Sequence, residues 1–193
     1  MGTQFIRDKL QSAIDTLMGL IQIEIATIKD VGDLLIEIFN NDKKCFVFGT
    51  GGSNLAAQRF ASALLGVGER KKLLLPVFLL AQDFAAMSAF SAAQEFEDIY
   101  LKYVDAFVSE GDAVVAFTAT GNNPAVLSGL ERAHAQGAKT ISFTGTNTSQ
   151  LKIYCDYVIS TPARELLRIN EAHFVITDIV VEYIERAHFQ AGD

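Results

Sequence analysis

Two turns rich in glycine, hydroxyls and amides carry the residue types in this sequence that could hold a ligand. The first is Gly49-Thr50-Gly51-Gly52-Ser53, which follows the apolar run Cys45-Phe46-Val47-Phe48. The second is Thr118-Ala119-Thr120-Gly121-Asn122-Asn123-Pro124, which follows Ala113-Val114-Val115-Ala116-Phe117. Glycines let backbone N–H groups approach a ligand closely, and a helix N-terminus just beyond favours negative charge. Hydroxyls and free N–H groups in such a place suit a phosphate monoester. The structural alternative is capping: Thr120 or Asn122 would cap a helix with Pro124 near its first turn. A dinucleotide cofactor fits poorly. Gly49, Gly51 and Asn54 fail G-x-G-x-x-G at its third glycine, and no acidic residue ends the next strand about twenty residues on. No Lys follows the glycines, so the P-loop signature is missing as well.

Each turn needs a strand before it and a helix after it. The strands are read at 44–48 and 113–117. The helices are read at 54–65 and 123–136, the latter closed by Gly137 as a C-cap. Further strands are expected at 73–80, 140–144 and 157–160, and further helices at 95–108 and 168–188. Residues 4–40 read as one long helix or two consecutive ones. Phe5, Leu10, Ile14, Leu17, Met18, Ile21 and Ile25 recur at helical spacing, and Val31, Leu34, Leu35 and Ile38 continue the pattern. The Ala/Ser-rich stretch 84–93 reads as a loop or short helix. Continuously apolar strands belong to a parallel sheet covered on both faces. Alternating with helices, they predict a doubly wound α/β fold. Ligands in such a sheet sit beyond the carboxyl ends of the strands, where both turns lie.

A chain of 193 residues is one domain's worth with a sizeable core, and no linker, repeat or low-complexity tract divides it. The net charge of −7 argues against a nucleic-acid backbone as partner. A mean hydropathy of +0.24 points to apolar surface held between subunits. The wide apolar stripe of 4–40 is accordingly read as core packing or as a subunit interface. Asp15, Glu24 and Lys29 interrupt that segment, so it is not a membrane span. Met1 to Leu10 has no apolar signal-peptide core. Cys45 and Cys155 sit in strand-like runs and read as reduced core residues, which fits a cytoplasmic setting.

Gly49 to Ser53, Thr118 to Asn123, and Arg168-Ile169-Asn170-Glu171-Ala172-His173 together resemble the signature regions of SIS (sugar isomerase) domains. The branch they resemble is that of the phosphoheptose isomerases, which also holds the DnaA initiator-associating protein. Thr144-Gly145 and Cys155-Asp156-Tyr157-Val158-Ile159 fit as well, so the likeness runs over nearly the whole chain. The resemblance implies a single SIS domain over 1–193, with a helical segment 1–40 and an α/β core 41–193 built on a five-stranded parallel sheet flanked by helices. It implies a homotetramer with the N-terminal helices in the assembly, and a phosphosugar site between subunits. Thr50, Gly51, Gly52, Ser53, Thr118, Ala119, Thr120, Asn123 and Asn170 fall at its phosphosugar-binding positions. Thr118, Thr120 and Asn123 replace serines common in the family, and Ala119 replaces a Thr.

Aldose–ketose isomerisation moves a proton between adjacent carbons and needs a base and an acid near C1 and C2. By resemblance, Arg59 and Ala63 stand at the first-helix His and Glu positions of phosphoheptose isomerases, and Asn170 and Asp178 at the last-helix Gln and His positions. In those enzymes the four supply the acid/base pair and a metal site. Here they make a poor zinc site, so neither metal nor cofactor is expected. Two family Asp positions fall on Ala93 and Leu167. Glu171 and His173 remain as candidate catalytic residues, about 200° apart on a helical wheel, so one would need a partner from a neighbouring subunit. The structural alternatives are a salt bridge or cap for Glu171 and a polar core or interface role for His173. Arg59 would pair with the sugar phosphate or with Asp178. The expected function is phosphosugar binding with a regulatory role. The alternative is an aldose–ketose isomerase, acting on sedoheptulose 7-phosphate or another phosphosugar through Glu171 or His173. A sugar phosphate is the expected partner, with no membrane and no direct nucleic-acid binding.

Overall fold

Successive side chains on a strand point to opposite faces of its sheet, so a strand apolar at every position must be covered on both sides. Among the described residues, two strands are of that kind. β1 (Cys45–Gly49) and β3 (Ala113–Phe117) are buried at every position. With β2 (Val77–Leu79), β4 (Lys139–Thr144) and β5 (Tyr157–Ser160) they form a parallel sheet of five strands in the order β2-β1-β3-β4-β5. The computed structural model describes residues 2–67 and 74–190, the side chains of 67 and 188–190 excepted. Cys45, Val47, Ala113, Val115 and Phe117 face one core, closed by α2 (Ile25–Asn40), α3 (Ser53–Ser62) and α8 (Leu166–Gln190). Phe46, Phe48, Val114 and Ala116 face the other, closed by α5 (Ile99–Phe107) and α6 (Pro124–Ala135). The expected doubly wound α/β fold is thus present.

Residues 4–40 form two helices, α1 (Thr3–Ile23) and α2. The break falls at Glu24, whose buried carboxylate turns onto the edge strand β5. Its Oε1 accepts from the Ser160 N–H at 3.1 Å and from the Ser160 hydroxyl at 3.0 Å. A buried carboxylate is tolerable where donors satisfy it, and here it also closes a sheet edge. The apolar stripe divides at the same point. Val31, Leu35 and Ile38 of α2 are buried, whereas Phe5, Leu10, Ile14, Met18 and Ile21 of α1 are exposed.

Several boundaries differ from expectation for identifiable reasons. The strand expected at 73–80 is confined to Val77–Leu79, because Pro76 has no N–H to give a ladder. Leu73 lies outside the described residues. The stretch 84–93 forms α4 (Phe84–Ala92), started by Asp83, whose Oδ1 accepts from the N–H groups of Ala85 and Ala86. The helix expected at 95–108 begins as a 3₁₀ turn, Phe96–Asp98, before α5. One short helix, α7 (Leu151–Tyr154), was not expected; its four residues are too few to show a period.

The strand order fixes where a ligand can sit. From the neighbouring pair β1 and β3 the chain winds outward in opposite directions, so a crevice opens between the loops that leave them. Gly49 pairs with Phe117 across that boundary, and the two candidate turns therefore start side by side.

The helices over the second core meet closely. A methyl group on Gly129 of α6 would stand 2.7 Å from Cβ of Tyr100 on α5 and 3.0 Å from Cζ of Phe48. A Cβ cannot swing aside without its backbone. Gly129→Ala is therefore expected to destabilise the chain by about 1–3 kcal/mol, in spite of alanine's better helix propensity. The urea midpoint measures this, and an unchanged midpoint would contradict the α5–α6 packing described here.

Candidate functional site

The first turn is wound tightly into α3. Gly51 takes a left-handed φ of +56°, and the N–H groups of Ser53, Asn54 and Leu55 fold back on the carbonyls of Thr50, Gly51 and Gly52. Tyr100 braces the strand end from below: its hydroxyl donates to the Gly49 carbonyl, and its ring stacks on Phe48 at 4.2 Å. Burial pushes the Tyr100 hydroxyl up to about 12, so it keeps its proton and its bond at neutral pH.

In the second turn the Thr118 N–H donates to the Phe143 carbonyl at 2.9 Å, and Gly121 reverses the chain at φ +68°. The residue that caps α6 is Asn123, not Thr120 or Asn122. Its Oδ1 accepts from the Val126 N–H at 3.2 Å. The physical reason is Pro124, which disfavours helical geometry in the residue before it and leaves Asn123 extended, as a capping residue must be. Both α3 and α6 begin at the crevice, so two helix N-termini bring partial positive charge to it.

The last helix closes the first turn. The Ser53 hydroxyl donates to Oδ1 of Asn170 on α8 at 2.9 Å. The Asn170 Nδ2 lies 2.6 Å from the place a Cβ on Gly52 would take, so a larger residue there would displace the Asn170 amide. Ser53 and Thr118 are buried beneath the site. Thr50, Ala119, Asn123 and Asn170 are half-buried, and Gly51, Gly52 and Thr120 are open to solvent. The two turns and Asn170 thus meet at neighbouring strand ends.

Glu171 and His173 do not join them within this chain. Glu171 accepts from Arg168 at 2.5 Å and lines a cavity of about 210 Å³ between α8 and α1, with Ala13, Thr16 and Leu17. His173 is 0 % exposed and lies edge-on to Phe117 and Phe143, with centroids 5.8 Å and 6.2 Å away. Its Nε2 is 3.4 Å from the Thr144 carbonyl. A carbonyl only accepts, so Nε2 carries the proton. The Nδ1 lone pair has no partner among the described residues. Burial pulls the imidazole down to about 4, so the ring is neutral near pH 7.

Arg59 pairs with Asp178. Its Nε and one terminal nitrogen each stand 2.7 Å from a different Asp178 oxygen, a bidentate contact tying α3 to α8. These residues do not fit the metal that the resemblance implies. Both Asp178 oxygens already face a guanidinium, and Ala63 brings only a methyl group. Both partners are about half exposed, 52 % and 49 %, so the pair is worth at most about 1 kcal/mol.

Two supports of the site escaped the sequence reading. Tyr100 stands 51 residues from Gly49, and no local pattern links the two. Asn147, which touches the second turn, follows the end of β4, and strand-end position was the signal that could have found it.

Comparison with known proteins places the chain among these relatives. The SIS domain family matches residues 10–145. A phosphoheptose isomerase of Fusobacterium nucleatum is 33 % identical over 159 residues, covering 82 % of this chain and 81 % of the relative. One of Aquifex aeolicus is 28 % identical over 180 residues, covering 93 % and 94 %. The structure of a phosphoheptose isomerase from Francisella tularensis superposes with a TM-score of 0.88 at 26 % identity, covering 96 % of this chain and 99 % of that one.

The buried His173 links stability to pH. Its folded value of about 4 lies below the ordinary 6.5, so the unfolded chain binds the proton more readily between them. Its full contribution is present above pH 6.5 and is lost as pH falls toward 4, by on the order of 3 kcal/mol in all. The expected result is that His173→Gln shows a shallower loss of unfolding free energy from pH 7 to pH 4.5 than the parent. Equal losses would contradict a neutral, buried imidazole.

Proposed function

The chain belongs to the SIS-domain family, and from that premise we propose that it binds a sugar phosphate in the crevice between the β1 and β3 loops. The observation that carries this reading is the pairing of Gly49 with Phe117, which sets two hydroxyl-bearing turns and two helix N-termini side by side. Thr50, Gly51, Gly52 and Ser53 form one wall, and Thr118, Ala119, Thr120 and Asn123 the other. Asn170 fixes the first. A phosphate there meets N–H and O–H donors and positive helix ends without a dedicated cationic side chain. The role proposed is binding and regulation within one SIS domain over the chain. Its support is the surroundings of the last helix: Asp178 is engaged by Arg59, and His173 is enclosed in the core.

A second reading is favoured by the relatives, which are named phosphoheptose isomerases. In it the chain is an aldose–ketose isomerase acting on sedoheptulose 7-phosphate or another phosphosugar, with Glu171 or His173 moving the proton. Homotetramer assembly is part of the proposal in either case. It is supported by the exposed Leu10, Ile14, Met18 and Ile21 on α1, whose contiguous apolar face would be covered by another subunit. No helix among the described residues is long and apolar enough to cross a membrane.

A thermal-shift panel tests the binding reading. The compounds are sedoheptulose 7-phosphate, fructose 6-phosphate, glucosamine 6-phosphate, arabinose 5-phosphate and inorganic phosphate. A ligand at about 100 times its Kd adds about 2.7 kcal/mol of stability, an easily visible shift. At least one sugar phosphate is expected to exceed inorganic phosphate. The double variant Ser53→Ala, Thr120→Val is expected to weaken that binding by about 1–3 kcal/mol. No shift with any compound would remove the reading. For the second reading, turnover of the bound sugar by the parent that is lost in Glu171→Gln would favour isomerase chemistry. Tight binding with no turnover favours the regulatory role. Zinc is expected to leave the melting temperature unchanged, and a clear rise would contradict the Arg59–Asp178 pairing.

A further inference from the structure

We infer that Asn147, on the loop after β4, is a positioning residue that aims the Gly121 N–H into the crevice; its ligand consequence rests on the reading above. The Asn147 Nδ2 donates to the Thr120 carbonyl at 3.1 Å. Its own carbonyl oxygen stands 1.9 Å from where a Cβ on Gly121 would lie, and Gly121 has φ +68°. One step earlier, a Cβ on Gly145 would meet the Ala119 carbonyl at 2.7 Å. The backbone from Ala119 to Gly121 therefore rests directly on residues 145 to 147.

The peptide between Thr120 and Gly121 is trans, as is every peptide of the described chain. In a planar trans unit the C=O and N–H bonds point in opposite directions. The Thr120 carbonyl points at Asn147, so the Gly121 N–H points away from the β4 loop. In the strand order β1-β3-β4, away from β4 is toward β1, the side of the first turn. The Asn147 amide thus does two things with one hydrogen bond. It draws a carbonyl that would repel an anion away from the crevice, and it leaves the N–H of the same peptide facing in. None of this needs Asn147 to touch the ligand.

Asn147 is exposed, so its substitution leaves the core intact. The test uses the whole chain, with Asn147→Ala and the near-isosteric Asn147→Asp, which lacks the donor. The first readout is ¹⁵N relaxation without ligand. Order parameters at Thr120 and Gly121 are expected near about 0.85 in the parent and below about 0.6 in both variants, while β3 and β4 stay rigid. The second is titration with inorganic phosphate and sedoheptulose 7-phosphate, following the Gly121 amide resonance. A ligand-induced shift is expected in the parent. In the variants that shift should shrink and the Kd should rise about fivefold. Unchanged order parameters at Thr120 and Gly121 would overturn the inference. So would parent-like affinity in both variants. If the parent binds neither compound, the sugar-phosphate reading fails by itself, and the relaxation data still decide whether Asn147 orders the turn.

Discussion

The site depends on a single pairing. β1 and β3 are adjacent and parallel, with Gly49 opposite Phe117, and the chain winds away from them in opposite directions. Two loops that leave neighbouring strands on opposite windings cannot cover one another, so a crevice between them is unavoidable. Each loop then enters a helix at its N-terminus, and the crevice acquires partial positive charge from two sides. The apolar runs that make β1 and β3 buried central strands are thus also what brings the polar turns together. In a chain of net charge −7, the positive potential at this place is local, set by the two helix N-termini.

Each turn is held by residues that lie outside it. Tyr100 holds the end of β1, and Asn170 fills the space beside Gly52. Asn147 and Gly145 support the second turn, and Phe117, just before it, stacks on Phe143 with the His173 ring at its edge. Rigid supports of this kind matter because a cradle of weak donors binds well only if the donors are already in place. The helix α8 contributes to three surroundings within four residues. Asn170 meets the first turn, Glu171 meets α1, and His173 enters the core. That division follows from about 100° of rotation per residue and is independent of any ligand.

Much of this was legible in the sequence, and the exceptions have physical causes. The strands Ala113–Phe117 and Tyr157–Ser160 have the expected bounds, because apolar runs end abruptly in turn residues. β2 is shorter than its apolar run because a proline sits inside it. The divergence of Glu171 and His173 could be read from the helical wheel, and a salt bridge for Glu171 and a core place for His173 were each one of two alternatives. The partner of Glu171, Arg168, lies only three residues away, whereas the enclosure of His173 depends on Phe117 and Phe143, far along the chain. The Arg59–Asp178 pair joins residues 119 apart and was one of two alternatives for Arg59. Capping by Asn123 was masked by competing candidates at Thr120 and Asn122, and the restriction imposed by Pro124 decides among them. Tyr100 and Asn147 were missed because both act through backbone carbonyls, which carry no residue signature.

The most direct measurement is a crystal structure of the chain grown with sedoheptulose 7-phosphate. The account predicts phosphate density between the two turns, within hydrogen-bonding distance of backbone or hydroxyl groups from both Gly51–Ser53 and Thr118–Asn123. Phosphate bound elsewhere, or held by one turn alone, would contradict the claim that the β1–β3 crevice is the ligand site.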